Sequence, residues 1–122
     1  MSDVLNILVA DDDPVVRHIL GAILRGSSHT VDLAENGAGA LQALKTDTPY
    51  DAIFLDMMLG DMTGAEVLKS IRDSGVTSKV IMLSAHQRDE AAKLNADLPP
   101  DYFLEKPFVA SDVAEALMNI GF

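Results

Sequence analysis

The chain contains no cysteine, which excludes disulfide scaffolds and thiol chemistry and is compatible with a reducing compartment. Basic residues are scarce: nine lysines and arginines face nineteen aspartates and glutamates, for a formal net charge of −10 at pH 7. A surface this acidic repels phosphate, which argues against direct nucleic-acid binding and against anionic membranes. No apolar run approaches the ~20 residues of a membrane span. The N-terminal stretch MSDVLN lacks the basic and apolar segments of a signal peptide. The expected location is therefore the cytoplasm. Internal repeats, linkers and low-complexity tracts are also missing. With 122 residues, the expectation is one domain, 1–122, large enough for its own core.

What the chain does have is a set of short apolar runs that end in polar residues. Ala52, Ile53, Phe54 and Leu55 run straight into Asp56. A continuous apolar run of this length reads as a strand buried on both faces, with the carboxylate at its C-terminal edge. Ile7 to Ala10 runs likewise into Asp11, Asp12 and Asp13, and Val80 to Leu83 runs into Ser84. Tyr102, Phe103 and Leu104 lead to Glu105, Lys106 and Pro107.

Helical signals alternate with these strands. Asp13 has the character of an N-cap, with Pro14 at the first helical position, where its missing N–H costs nothing. The apolar pairs Val15/Val16, Ile19/Leu20 and Ile23/Leu24 predict a core-facing stripe on the first helix, which Gly26, Ser27 and Ser28 end. Thr30 to Ala34 alternates apolar and polar residues, as an edge strand does. Asn36 and Gly37 open a second helix with Ala40, Leu41 and Leu44 inward, and Thr48-Pro49 breaks the chain before the Asp56 strand. A third helix is predicted from about Ala65 to Ser74, burying Val67, Leu68 and Ile71. A weaker fourth, about Asp89 to Asn95, has only Ala91, Ala92 and Leu94 to bury. Beyond Pro99-Pro100 and the last strand, Ser111 is the expected cap of a final helix carrying Val113, Ala116, Leu117 and Ile120. The pattern is an α/β (βα)5 domain, a doubly wound five-stranded parallel sheet of flavodoxin-like order 2-1-3-4-5. In such sheets ligands gather at the C-terminal strand ends, where this sequence collects acids, a hydroxyl and a lysine.

Each of these features alone is weak. An acidic triplet commonly caps a helix, a lone serine is a loop hydroxyl, and Lys-Pro is a frequent loop dipeptide. Each stands at the end of its own buried strand, however, and together they resemble the receiver domain of two-component response regulators over essentially the whole chain. The likeness is to the stand-alone, chemotaxis-regulator type. Asp11 and Asp12 match the acidic pair, Asp56 the phosphoacceptor, Ser84 the hydroxyl position and Lys106-Pro107 the Lys-Pro. The separations fit: 44 residues from Asp12 to Asp56, 28 from Asp56 to Ser84 and 22 from Ser84 to Lys106. Gly64 matches the loop glycine. Gly60 departs from the pattern, standing where the family usually has proline, and Phe103 occupies the switch-aromatic position where tyrosine is common.

The resemblance implies a signalling protein and not an enzyme in the ordinary sense. A phosphoryl group would pass from a histidine kinase or histidine phosphotransfer protein to Asp56. Asp11, Asp12, Asp56 and the Met58 backbone carbonyl would hold Mg²⁺, for which Mn²⁺ could substitute. Lys106 would contact a phosphoryl oxygen and Ser84 donate to another, with the amides near Met58 and Ala85 completing the cradle. Ser84 and Phe103 would carry the switch to a downstream target protein through the face of the fourth helix, fifth strand and last helix. Met58 and His86 would line the approach of hydrolytic water. A monomer or weak dimer is expected, without nucleic acid or membrane as partner.

Two other readings are open at this stage. Ile7 to Val15 also fits the haloacid-dehalogenase phosphatase pattern, with Asp11 as nucleophile and Asp13 as acid, although Asp56 would then have no task. A receiver that docks partners without taking phosphate is the other.

Overall fold

The computed structural model describes residues 4–45, 49–84 and 99–122. The predicted fourth helix, His86 and the Ala85 amide lie outside them. The elements are β1 (Asn6–Ala10), α1 (Pro14–Gly26), β2 (Thr30–Ala34), α2 (Gly37–Leu44), β3 (Ala52–Asp56), α3 (Gly64–Asp73), β4 (Lys79–Ser84), β5 (Tyr102–Glu105) and α4 (Ala110–Asn119). The five strands form one sheet, all pairs parallel, in the order β2-β1-β3-β4-β5.

Side chains alternate across a strand, so a continuous apolar strand supplies two cores. Ile7, Val9, Phe54, Ile81 and Leu83 pack with Leu20 and Leu24 of α1 and with Val113 and Leu117 of α4. Leu8, Ile53, Leu55, Val80 and Met82 pack on the opposite face with Ala40 of α2 and with Val67, Leu68 and Ile71 of α3. β3 is buried along its whole length, whereas β2, at the edge, keeps Thr30, Asp32 and Leu33 exposed.

The helix starts have local causes. Asp13 caps α1 by accepting the Val15 N–H at 2.9 Å, and Asn36 caps α2 by accepting the Gly39 N–H at 2.7 Å. α3 begins with a reciprocal cap that the Thr63-x-x-Glu66 spacing encodes: Glu66 N donates to Thr63 Oγ1 at 3.1 Å, and Thr63 N donates to Glu66 Oε1 at 3.4 Å.

Three expectations are corrected. Val15 and Ile19 are 61% and 45% exposed, because neighbouring helical residues lie about 100° apart and in the first two pairs only one residue faces the sheet. The buried stripe of α1 is Leu20 and Leu24, flanked by half-buried Val16 and Ile23. Ser111 does not cap α4. That helix starts at Ala110 with Val109 as its N-cap, two residues before Ser111, and the Asp112 carboxylate in its first turn accepts the Val109 N–H at 2.9 Å. α3 starts at Gly64 and ends at Asp73, with Ser74 as its C-cap.

Candidate functional site

Parallel pairing puts every C-terminal strand end on one edge. Register then decides which residues meet there. Ala10 lies beside Leu55, so Asp11 and Asp56, one step further on, emerge together from the two central strands. Asp56 in turn lies beside Leu83, and Ser84 beside Glu105, which brings Ser84 and Lys106 to the same rim. Backbone bonds carry the pairing past the strand ends: Met57 N donates to Leu83 O at 3.1 Å, and Lys106 N donates to Ser84 O at 2.8 Å.

The acidic cluster is assembled by burial and hydrogen bonds. Asp11 is fully buried, Asp56 is 8% exposed and Asp12 is exposed. Ligand oxygens of all three lie within 4.8 Å of one another. Asp13 stands apart, its carboxylate engaged in the α1 cap. Asp11 accepts the Asp13 N–H at 2.9 Å, and Arg17 Nη1 donates to the Asp11 carbonyl at 2.7 Å. The Arg17 contact was not foreseen; its only trace in the sequence is a cation six residues on, within the next helix.

Lys106 crosses the pocket. Its Nζ donates to Asp11 Oδ2 at 2.8 Å and to Asp56 Oδ1 at 3.2 Å. Burial alone would lower the Lys106 pKa, but the hydrogen bond to Asp11 and the charges of Asp56 and Asp11 outweigh it and hold the ammonium above its ordinary value. Asp56 moves the other way. Burial first and then repulsion by Asp11 push its pKa up to about 6, with Lys106 opposing and Asp12 adding to the rise. Three carboxylates less one ammonium leave a formal charge of −2, which a divalent cation would neutralise. The donor set suits a hard, oxygen-loving ion.

One glycine keeps this geometry tight. Gly64 packs against the start of the loop after β3: a Cβ there would collide with the Asp56 carbonyl and lie 2.9 Å from Met82 Sδ. Met58, at the rim, is 57% exposed, and among the described residues no donor reaches its carbonyl. Ser84 is 2% exposed. Phe103 is half-buried against the α2/α3-side core.

Of the predicted site residues, Asp11, Asp12, Asp56, Lys106, Ser84 and Met58 all sit at this one edge, and Phe103 stands on the neighbouring strand β5. Asp13 in its cap is unsuited to serve as the acid of a dehalogenase-type phosphatase. Among the described residues no helix is long and apolar enough to cross a membrane.

Comparison with known proteins agrees with this geometry. The model of the response regulator receiver domain family matches residues 7–118. The response regulator MprA of Mycobacterium ulcerans is 34% identical over 109 residues, covering 89% of this chain and 47% of that protein. The alkaline phosphatase synthesis transcriptional regulatory protein SphR of Synechococcus elongatus is 32% identical over 110 residues, covering 84% and 43%. The chain thus spans about half the length of these curated relatives. The structure of the chemotaxis response regulator CheY4 of Vibrio cholerae superposes with a TM-score of 0.89, covering 97% of this chain and 99% of that one at 22% identity, a likeness of fold alone. NtrX of Brucella abortus aligns at 31% identity with a TM-score of 0.84, over 97% of this chain and 28% of that one.

Proposed function

The chain belongs to the response regulator receiver domain family, the receivers of two-component signalling, and from that premise we propose that Asp56 is its phosphoacceptor. The observation that carries the reading is the convergence of Asp11, Asp12 and Asp56 with Lys106 bridging two of them. Receivers of this family bind Mg²⁺ at an acidic pocket. Here Asp11, Asp12, Asp56 and the Met58 carbonyl would hold it, and when bound it offsets the negative charge that otherwise opposes phosphoryl transfer.

The residues of the chain do the rest. Asp56 Oδ1 takes hydrogen bonds from Lys106 Nζ and, at 3.0 Å, from Met57 N. These donors orient the carboxylate and leave its other oxygen to attack phosphorus. In transfer from a phosphohistidine, the new O–P bond replaces the N–P bond, and the histidine leaves as neutral imidazole because its other ring nitrogen already carries the proton. Lys106 follows the charge onto a phosphoryl oxygen, and the Ser84 hydroxyl donates to another.

The donor is a histidine kinase or histidine phosphotransfer protein, and the target is a protein that docks on the face of β5 and α4. A recess of about 390 Å³ lined by Tyr102, Phe103, Glu105, Asp112 and Glu115 suits such docking. The whole chain acts as one receiver unit in the cytoplasm, and as a signalling domain it has no turnover beyond its own phosphorylation and dephosphorylation. Incubation with acetyl phosphate and Mg²⁺ followed by intact-mass measurement is the test. One added phosphoryl group, lost in Asp56→Asn or with chelator, is expected. Label on Asp11 would overturn the assignment.

A further inference from the structure

The loop that carries Met58 is a miniature hairpin. Gly64 N donates to Met57 O at 2.7 Å and Leu59 N donates to Met62 O at 3.0 Å, with Met58 paired across to Thr63 between them. The Leu59 side chain, which is 1% exposed, anchors the residue just before the turn. The hairpin tip turns at Gly60, whose φ of +83° a proline cannot adopt. The stiffening proline usual at this position is thus replaced by a residue of the widest backbone freedom.

The tip is held from outside instead. Asp61 accepts the Gly37 N–H with one carboxylate oxygen, at 2.8 Å, and the Ala38 N–H with the other, at 2.9 Å. These are first-turn amides of α2, which the helix itself leaves without partners. The bonds to Ala38 and Gly37 hold the Asp61 carboxyl below the usual carboxylate range. Beside it the Met62 side chain lies over Gly37 so closely that a Cβ there would meet Sδ at 2.6 Å and Cγ at 2.7 Å. Asn36 meanwhile caps the same helix end through Gly39, so Asp61 contributes more than a cap that α2 would otherwise lack.

We propose that Asp61 is a positioning residue for the phosphorylation site: by tying the loop tip to α2 it fixes the Met58 backbone for the metal set. The inference rests on the proposed Asp56 and Mg²⁺ function. It assigns α2 a part in that function, as the wall against which the metal-bearing loop is braced. Because Asp61 is solvent-exposed, the effect falls at or below the low end of what outer-shell partners contribute to metal affinity, roughly threefold to tenfold.

The test compares Asp61→Ala with Asn36→Ala, which weakens the same helix start without touching the loop. Mg²⁺ affinity of the unphosphorylated protein is measured by calorimetric titration, and amide exchange at Leu59 and Gly64 is followed in metal-free protein. Asp61→Ala should weaken Mg²⁺ binding roughly threefold to tenfold and speed exchange at both amides, while Asn36→Ala leaves both readings near wild type. Unchanged affinity in Asp61→Ala, or an equal loss in Asn36→Ala, would overturn the proposal. A wild type that binds no Mg²⁺ would sink the function beneath it, a failure visible before any variant is made.

Discussion

The ammonium of Lys106 lies 2.8 Å from a carboxylate oxygen of Asp11, 95 residues away in sequence, and 3.2 Å from Asp56. It is the only Lys or Arg ion-paired with either acid among the described residues. Asp11 is fully buried, so the pair is shielded from solvent on the carboxylate side and its loss is not softened by water.

Lys106→Ala should therefore act on both stability and chemistry. Removing one partner of a buried pair leaves the other charge uncompensated, at a cost of about 2–4 kcal/mol at pH 7 without metal. Phosphorylation by acetyl phosphate should slow by roughly ten- to a hundredfold, the value of one charge-stabilising donor in a transition state. Denaturant titration and the rate of mass gain report the two effects. A variant as stable as wild type would show that other groups offset the buried Asp11 charge without Lys106.

The raised pKa of Asp56 gives a pH dependence with a definite sign. In the unfolded chain the carboxyl titrates near 3.8 and in the folded protein near 6, so the folded state holds the proton more tightly. Its contribution to stability is complete below about pH 4 and is lost as pH rises through about 6, a change of up to about 3 kcal/mol. Metal-free Asp56→Asn should lack this decline and be more stable than wild type at pH 7.5. Mg²⁺ should stabilise wild type at that pH and have far less effect on the variant. Denaturant midpoints at pH 5 and 7.5, with and without metal, decide the matter. Identical pH slopes would refute the coupling.

Much of this was legible in the sequence because buried parallel strands write themselves plainly. The apolar runs ending at Ala10, Leu55, Leu83 and Leu104 located the strands, and their terminal residues located Asp11, Asp56, Ser84 and Lys106. Asp13 and Pro14 gave the start of α1. Sequence spacing could not say which of Val15 or Val16 faces the sheet, since the two are neighbours on the helix and the sheet position selects between them. Nor could it pair Asp61 with the start of α2. That contact spans 24 residues and depends on how one loop lies across a helix end, which no local propensity encodes. The Thr63-Glu66 cap was readable and shows what the approximate helix limits omitted.

Gly64 is a site where one methyl group should suffice to disrupt the pocket. A Cβ there would meet the Asp56 carbonyl, Met82 Sδ at 2.9 Å and Met57 Cα at 3.0 Å, and two of these contacts are backbone that cannot swing away. Gly64→Ala should destabilise the domain by about 2 kcal/mol or more. It should also weaken Mg²⁺ binding, because relief of the clash moves the backbone of Asp56 itself. Thermal melts and metal titration on the same variant test both. A stable Gly64→Ala with normal affinity would mean that the loop has slack.

The lifetime of the phosphoryl group is the remaining property to predict. Hydrolysis of an acyl phosphate needs water in line with the bond to Asp56. The residues expected from the family resemblance to line that approach are Met58 and His86, the latter outside the described residues. Met58 stands at the rim, 57% exposed, with a thioether that neither donates a proton nor strongly accepts one. On the proposed reading it would crowd the approach without orienting a water. Slow self-dephosphorylation follows, suited to a protein that must reach a partner or pass its phosphate on. Met58→Asn replaces bulk with an amide that can hold a water, and a positioned polar group lowers a barrier by about 1–2 kcal/mol, so decay should quicken roughly tenfold. The substitution leaves the backbone carbonyl in place, so Mg²⁺ affinity should hold while the lifetime changes. The measurement is loss of phosphorylated mass after the donor is removed, and equal decay in wild type and Met58→Asn would mean that another group admits the water.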